Sequence, residues 1–321
     1  MASSKYDNYN FPSIHPDDDV AEGHPGGTKP SHDAMVFQLR TLLEQDGYTE
    51  RLDTNTMLRY LRARKFDVKL AKEMYVNAEK WRKEEDLDHV VQTWDYPEKP
   101  EVFEYYPQFY HKIDKDGRPV YIEKLGKINL TELRKITTEE RMLRNLAYEY
   151  EKFADPRLPA CSRRANRLIE TCCTIMDLKG VGITTIPSAY GYLKKASTIS
   201  QDYYPERLGR LFIINAPWGF STVWGMISGW LDPVTVKKIS VLGSSYQKDL
   251  LGQIPAENLP VEYGGTCACS QGCPLSDAGP WNEEQYQGAF FKPTEEKKDT
   301  VASVATETAP PAPVPVPDAT A

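Results

Sequence analysis

Three groups of residues have types and spacings that could do chemistry. Cys161-Ser-Arg-Arg-Ala-Asn-Arg167 has the Cys-x5-Arg spacing of a phosphate loop, where a thiolate attacks phosphorus and an arginine holds the oxygens. Such a loop is glycine-rich and follows a strand. Here Leu158-Pro159-Ala160 precede it and it contains no glycine, so covalent catalysis is not expected. Cys267-x-Cys269-x3-Cys273 offers three thiolates to zinc, which takes four ligands. All five histidines lie before it, at positions 15, 24, 32, 89 and 111, so no metal site is expected. Arg62, Arg64 and Lys65 stand among apolar neighbours. They are either a solvated basic face or a grip for an anion, since arginine binds phosphate oxygens two at a time.

Other catalytic patterns are missing. There is no G-x-S-x-G, no G-x-x-x-x-G-K and no H-E-x-x-H, and Gly180-Val-Gly182 lacks the third glycine of a dinucleotide fingerprint. The chain is therefore not expected to be an enzyme. Its 321 residues carry a net charge of −7, unevenly spread. Residues 1–33 contribute −4 and residues 266–321 contribute −5, which leaves the middle at +2. A mildly basic body does not suggest nucleic acid and is compatible with an anionic membrane surface. The amino terminus is polar and no apolar run reaches the length of a membrane span, so a cytoplasmic chain is expected.

The elements alternate. Residues 1–33 read as a flexible arm and 34–93 as a small helical subdomain. Residues 94–265 form an α/β domain, and 266–321 an irregular to disordered tail. Within 94–120 the chain reads as loop-rich and aromatic, followed by a strand at 120–123 after the turn at 114–119. Further strands are expected within 167–178, 210–215 and 239–242, separated by helical stretches. Crossovers of that kind imply a mixed, mostly parallel sheet. The segment 220–231 is one helix with apolar residues Phe220, Val223, Trp224, Ile227, Trp230 and Leu231 around most of its circumference and no charge on its other face. A surface helix normally shows a charged face. This one is either a helix buried on all sides or a lid over an apolar cavity.

Seven segments occur in an order that resembles the CRAL-TRIO lipid-binding family: 60–67 (YLRARKFD), 114–121 (DKDGRPVY), 170–179 (ETCCTIMDLK), 203–207 (YYPER), 212–217 (FIINAP), 231–236 (LDPVTV) and 254–260 (IPAENLP). The similarity spans about 34 to 265 and is greatest to fungal phosphatidylinositol/phosphatidylcholine transfer proteins of the secretory pathway. It implies a sheet over a hydrophobic lipid pocket and a helical gate at 220–231; Gly209, just before a strand, and Gly264 and Gly265 are the permissive points where such a gate could hinge. It also implies a monomeric carrier that exchanges single phospholipids at membranes, with no cofactor beyond the bound lipid. The carrier would sit peripherally on Golgi or endosomal membranes and present phosphatidylinositol to phosphoinositide kinases.

By the same resemblance, Arg64, Lys65, Glu206, Thr235 and Lys238 would hold the inositol headgroup. Cys172 and Thr174, with Tyr110, Tyr121 and Tyr150, would hold the choline headgroup through hydroxyl-type donors and cation–π faces. Cys172 departs from the family pattern, which has serine, and a thiol is the weaker donor. Without the resemblance, Glu206 and Arg207 would form a local ion pair, and the tyrosines would be ordinary core. A carrier of another apolar ligand, such as a sterol or retinoid-like molecule, is the alternative.

Overall fold

The computed structural model describes residues 22–182, 185–229 and 233–287. Its first part is helical because apolar residues recur at helical spacing behind good caps. Helix α1 (Pro30–Gln45) opens on a proline. Helices α2 (Thr54–Ala63) and α3 (Val68–Glu84) open behind aspartates. The Asp53 carboxylate accepts from the Thr56 amide at 2.9 Å, and the Asp67 carboxylate from the Leu70 amide at 2.9 Å. Leu39, Leu43, Leu58, Leu61, Met74 and Tyr75 are buried where the three helices meet. Tyr203 joins this cluster from the α/β domain and stacks on Trp81 with ring centres 4.2 Å apart. The short helices α4 (Val90–Thr93) and α5 (Lys99–Tyr105) lead into the sheet.

Five strands follow: β1 (Gln108–Ile113), β2 (Pro119–Glu123), β3 (Cys172–Asp177), β4 (Leu208–Ile214) and β5 (Ile239–Val241). They lie in sequence order across one sheet. The first two form an antiparallel hairpin, and every later neighbour is parallel. The mixed, mostly parallel sheet expected from the alternation of elements is the one observed. Helices α6 (Leu130–Ile136), α7 (Glu139–Lys152) and α8 (Leu158–Ala165) cross from β2 to β3. Helix α9 (Thr185–Thr198) crosses to β4, and α10 (Phe220–Ser228) with α11 (Pro233–Lys237) crosses to β5. Helix α12 (Gln247–Gln253) and the single turn α13 (Cys273–Ser276) come last. Strand β1 falls inside the stretch that reads as loop-rich. Its residues are buried on both faces apart from Lys112, so the alternation of apolar and polar residues that marks a half-exposed strand is missing.

The register gives the sheet two unlike faces. Phe109, Ile122, Ile175 and Phe212 are successive partners across β1 to β4. All four belong to the main core, with Leu250, Ile254, Leu259 and Tyr263 from beyond β5. The next residue along each strand points the other way. That second row runs Tyr110, Tyr121, Thr174, Leu211, Ile239.

Residues 266–287 carry only short helical turns and pack on the domain. Cys267, Cys273 and Trp281 are buried there. The segment also closes a buried ion network. Arg157, 1% exposed, pairs with Glu149 at 2.9 Å and with Asp277 at 3.0 Å, and its guanidinium lies 4.4 Å from the Tyr110 ring centre. Two carboxylates offset the desolvation of one guanidinium, and removing either leaves charge uncompensated. Asp277→Ala is therefore expected to lower unfolding stability by about 1–3 kcal/mol, less than loss of a fully buried partner because Glu149 remains. The urea midpoint measures this, and an unchanged midpoint would mean that the segment contributes nothing to the fold.

Candidate functional site

The second row of the sheet assembles a group of aromatic and weakly polar side chains, Tyr110 and Thr174 buried and Tyr121, Tyr150 and Cys172 half-buried. Tyr110 and Tyr121 face each other across the hairpin with ring centres 4.9 Å apart. Thr174 is the next partner of Tyr121, and Cys172 lies two residues before Thr174, on the same face. The Cys172 sulfur is 3.4 Å from the Thr174 hydroxyl and donates to the Arg207 carbonyl at 3.3 Å. Tyr150 reaches in from α7 and stacks on Tyr204, centres 4.5 Å apart. Burial, followed by the proximity of Cys172 and Tyr150, pushes the Tyr110 hydroxyl well above its ordinary pKa. Burial likewise raises the Cys172 thiol, so it stays a neutral S–H. All five residues expected to act together are thus brought to one place. Aromatic faces there suit a cation, and a hydroxyl and thiol suit an oxyanion.

Sequence reasoning missed two residues of this interior. Glu123, two residues beyond Tyr121, is half-buried and accepts a hydrogen bond from the Tyr106 hydroxyl; desolvation raises its pKa. Arg157 occupies one face of Tyr110, so that ring is held in place by a cation of the protein itself. The spacing of these residues from the motifs carries no signal, because the contacts are made across elements.

The second set lies where the helical subdomain meets β4 and α11. Arg64 ends α2 and donates to the Ala63 carbonyl at 3.0 Å. Lys65 is exposed, and it and Phe66 have φ of 50° and 62°. Two successive left-handed non-glycine residues are costly and turn the chain sharply. Glu206 does not pair with Arg207, whose guanidinium donates to the Glu170 carbonyl at 3.1 Å. Its carboxylate lies 3.6 Å from Arg62, which is also 3.8 Å from the Glu170 carboxylate. Arg62, 6% exposed, is thus an internal tie and not part of an open grip. Thr235 in α11 and Lys238 just after it are half-buried. Lys238 and Arg62 both act on His24, so the amino-terminal segment at 22–29 completes this corner.

Cys161 is fully buried within α8, and burial raises its thiol far above the ordinary value. A neutral thiol inside a helix is no nucleophile. Helix α10 covers Phe220–Ser228. Ser221, Thr222 and Gly225 are exposed, while Phe220 and Trp224 are half-buried, so the helix is not enclosed on all sides. Val223 and Ile227 lie within it, and Trp230 and Leu231 fall outside the described residues. Trp218, just before it, is wholly exposed.

The three glycines expected as hinges have steric duties instead. Gly209 lies inside β4, not before it. It is the extra residue where Leu208 pairs with Cys172 and Arg210 with Cys173, and a Cβ there would come within 2.5 Å of Thr171 Oγ1. Gly264 has φ of 92°, and a Cβ on Gly265 would lie 1.9 Å from the Leu259 carbonyl oxygen. Both are fixed in one tight turn.

Residues 103–265 match the CRAL/TRIO domain and residues 35–77 its CRAL/TRIO, N-terminal domain. The Sec14 cytosolic factor of Schizosaccharomyces pombe is 59% identical over 264 residues, covering 82% of this chain and 92% of that protein. The chain belongs to the CRAL/TRIO family. The SEC14 cytosolic factor of Kluyveromyces lactis is 55% identical over 87% of this chain and 93% of its own length. An Arabidopsis thaliana phosphatidylinositol/phosphatidylcholine transfer protein, SFH4, is 45% identical over 79% of this chain and 43% of its own. The crystal structure of Sfh5 shares the fold at a TM-score of 0.57 and 18% identity, covering 74% of this chain and 88% of that one.

The CRAL/TRIO domain contains every strand of the sheet and both Glu206 and Lys238, while Arg64 and Lys65 lie in its N-terminal companion. His24 precedes both matched regions. Burial, then Arg62 and Lys238, lowers its pKa to about 4. A histidine depressed in the folded state favours folding while neutral, and that contribution is lost as pH falls from about 6.5 toward 4. Release of the 22–29 segment is therefore expected over that interval. The protection of the Gly27 amide, which donates to the His24 carbonyl at 2.8 Å, reports it by hydrogen exchange. His24→Gln should flatten the pH dependence, and an equally steep profile in that variant would assign it to other groups.

Proposed function

We propose that this chain withdraws single phosphatidylinositol or phosphatidylcholine molecules from a membrane, encloses them and releases them at another. The observation that carries this is the row Tyr110, Tyr121 and Thr174, with Cys172 and Tyr150. These side chains lie together on the sheet face opposite the main core, where aromatic rings suit a cation and a hydroxyl and thiol suit a phosphate. The Arabidopsis relative is a phosphatidylinositol/phosphatidylcholine transfer protein, which supports the same lipids. Two acyl chains hold about 30 methylenes at about 0.8 kcal/mol each, so exposing them to water would cost on the order of 20 kcal/mol. A carrier has to enclose them and still open at a bilayer. Helix α10 is apolar without charge, and the exposed Trp218 beside it has an aromatic body with a polar edge that suits the membrane interface.

The inositol headgroup is assigned to the outer corner, where Arg64, Lys65, Thr235 and Lys238 meet phosphate and Glu206 accepts inositol hydroxyls. The protein works as a cytosolic monomer with no catalytic step of its own. It presents phosphatidylinositol to phosphoinositide kinases at Golgi or endosomal membranes, and so promotes phosphoinositide synthesis for secretory traffic. Mass spectrometry of lipid co-purifying with the full chain tests the ligand class, and a sterol or retinoid in place of phospholipid would overturn it.

Lys238→Ala is expected to cut phosphatidylinositol transfer between vesicles about tenfold, the worth of one charge-assisted hydrogen bond, and to spare phosphatidylcholine transfer. Equal loss of both lipids would remove Lys238 from the headgroup site. Cys172→Ser replaces a weak S–H donor with a single stronger O–H donor, which can turn from the Arg207 carbonyl to a phosphate oxygen. Phosphatidylcholine transfer should rise several-fold, about 1 kcal/mol. A large decrease would mean that this strand face does not meet the choline lipid's phosphate.

A further inference from the structure

Three thiols and one imidazole gather at the edge of the sheet, away from both headgroup assignments. Cys267, Cys269 and Cys273 come from the segment after the domain, and His111 comes from β1. The absence of a fourth ligand near the cysteines in sequence is the ground for expecting no metal. The fold removes that ground, because it brings a histidine from more than a hundred residues earlier against them. The ligand atoms of all four residues lie within 4.8 Å of one another.

The distances suit one tetrahedral ion. Zinc–sulfur bonds of about 2.3 Å at tetrahedral angles separate two thiolates by about 3.8 Å. The Cys267 and Cys269 sulfurs are 3.8 Å apart, and His111 Nε2 is 3.3 Å from the Cys267 sulfur. The spacing is far too long for a disulfide, whose sulfurs are about 2.05 Å apart.

The surroundings are those of a built site. The Ser276 hydroxyl donates to the Cys273 carbonyl at 2.9 Å, which leaves its oxygen to accept from His111 Nδ1, 3.3 Å away. That bond places the imidazole proton on Nδ1 and aims the Nε2 lone pair at the sulfurs, the outer-sphere support that metal-bound histidines need. Gly272 turns the chain with φ of 81°, and its amide donates to the Cys269 carbonyl at 2.9 Å, which brings Cys273 back toward Cys267.

We propose that His111, Cys267, Cys269 and Cys273 bind one zinc ion. A sulfur-rich tetrahedral set of this kind selects zinc over magnesium or calcium, which require oxygen ligands. Four protein ligands fill the coordination sphere, so the ion is structural and offers no open position for hydrolysis. Binding drives three thiol protons into solvent and leaves three thiolates and a neutral imidazole on the ion. The zinc fastens residues 266–287 to β1, beside Tyr110 and on the same segment that supplies Asp277 to Arg157. It thereby holds the strand that carries the choline-site ring.

The test uses the full chain purified without chelators. Elemental analysis should find about one zinc per chain. Replacement by Co2+ should give the visible ligand-field bands and near-ultraviolet thiolate charge-transfer band of a tetrahedral site. Cys269→Ser is the first variant, because Cys269 is only half-buried and its loss disturbs packing least. It should lose most of the zinc and the charge-transfer intensity while circular dichroism keeps its native shape. Phenanthroline should lower the melting temperature of the wild-type chain by several degrees and leave that variant unmoved. Wild-type protein that carries no zinc and takes up none from a metal-indicator competition would overturn the proposal. So would zinc content unchanged in Cys269→Ser, which would place the ion elsewhere.

Discussion

Everything in this molecule depends on the register of five strands. A single row, Tyr110, Tyr121, Thr174, Leu211 and Ile239, crosses the sheet on the face opposite the main core. The adjacent row, Phe109, Ile122, Ile175 and Phe212, faces the main core. A slip of one residue in any strand would exchange the two sets and put tyrosine hydroxyls into the core. The hairpin turn pins the first pair: the Asp114 amide donates to the Arg118 carbonyl at 2.9 Å, and the Asp114 carboxylate accepts from the Arg118 amide at 2.8 Å. The bulge at Gly209 then resets β4 against β3, so that Thr174 meets Leu211 and the row continues. Removing that glycine's freedom from a side chain would set the bulge against Thr171 and Arg118.

Two buried guanidiniums hold the parts around this sheet. Arg157 joins Glu149 of α7 to Asp277 of the closing segment, and Arg62 joins Glu170 and Glu206 at the base of α2. In each case one cation faces two carboxylates from distant parts of the chain. Such ties add little net stability compared with apolar packing, but they penalise any arrangement in which a partner is displaced. They act as checks on geometry. Arg157 fixes the orientation of Tyr110, and Arg62 fixes the approach of the helical subdomain to the Glu206 turn.

How much of this could be read from sequence follows from which interactions are local. The helices behind Asp53 and Asp67, the turn at Asp114 to Arg118 and the parallel strands are local patterns, and they were legible. The membership of Cys172, Thr174 and the three tyrosines in one group came from family likeness, and the register gives the physical reason for it. Strand β1 was hidden because burial on both faces erases alternation. Arg62 could not be separated from Arg64 and Lys65, since only the fold reveals that carboxylates at Glu170 and Glu206 claim it. His111 was set aside as a ligand for the same reason: sequence spacing measures the distance along the chain, and the sheet brings β1 against residues 267–273.

The glycines show where a swing of α10 would have to turn. Gly209, Gly264 and Gly265 are locked by neighbours in contact with the position of a side chain. Gly219, directly before the helix, has φ of 84°, and among the described residues no atom lies within 4 Å of where its Cβ would be. Upstream of it the chain is anchored, since the Asn215 side chain donates to Asp177 at 2.7 Å and the Ala216 amide to the Leu242 carbonyl at 3.0 Å. Downstream, among the described residues, the Leu211 amide donates to the Lys238 carbonyl at 2.9 Å. Helix α10 lies between Gly219 and Lys238, the residue assigned to the inositol phosphate. A helix moving about Gly219 pulls on Thr235 and Lys238 before it pulls on the sheet. Under the proposed assignments, a gate opening in this way would loosen the outer headgroup site, whereas the inner one, set on β1 to β3, would stay in register.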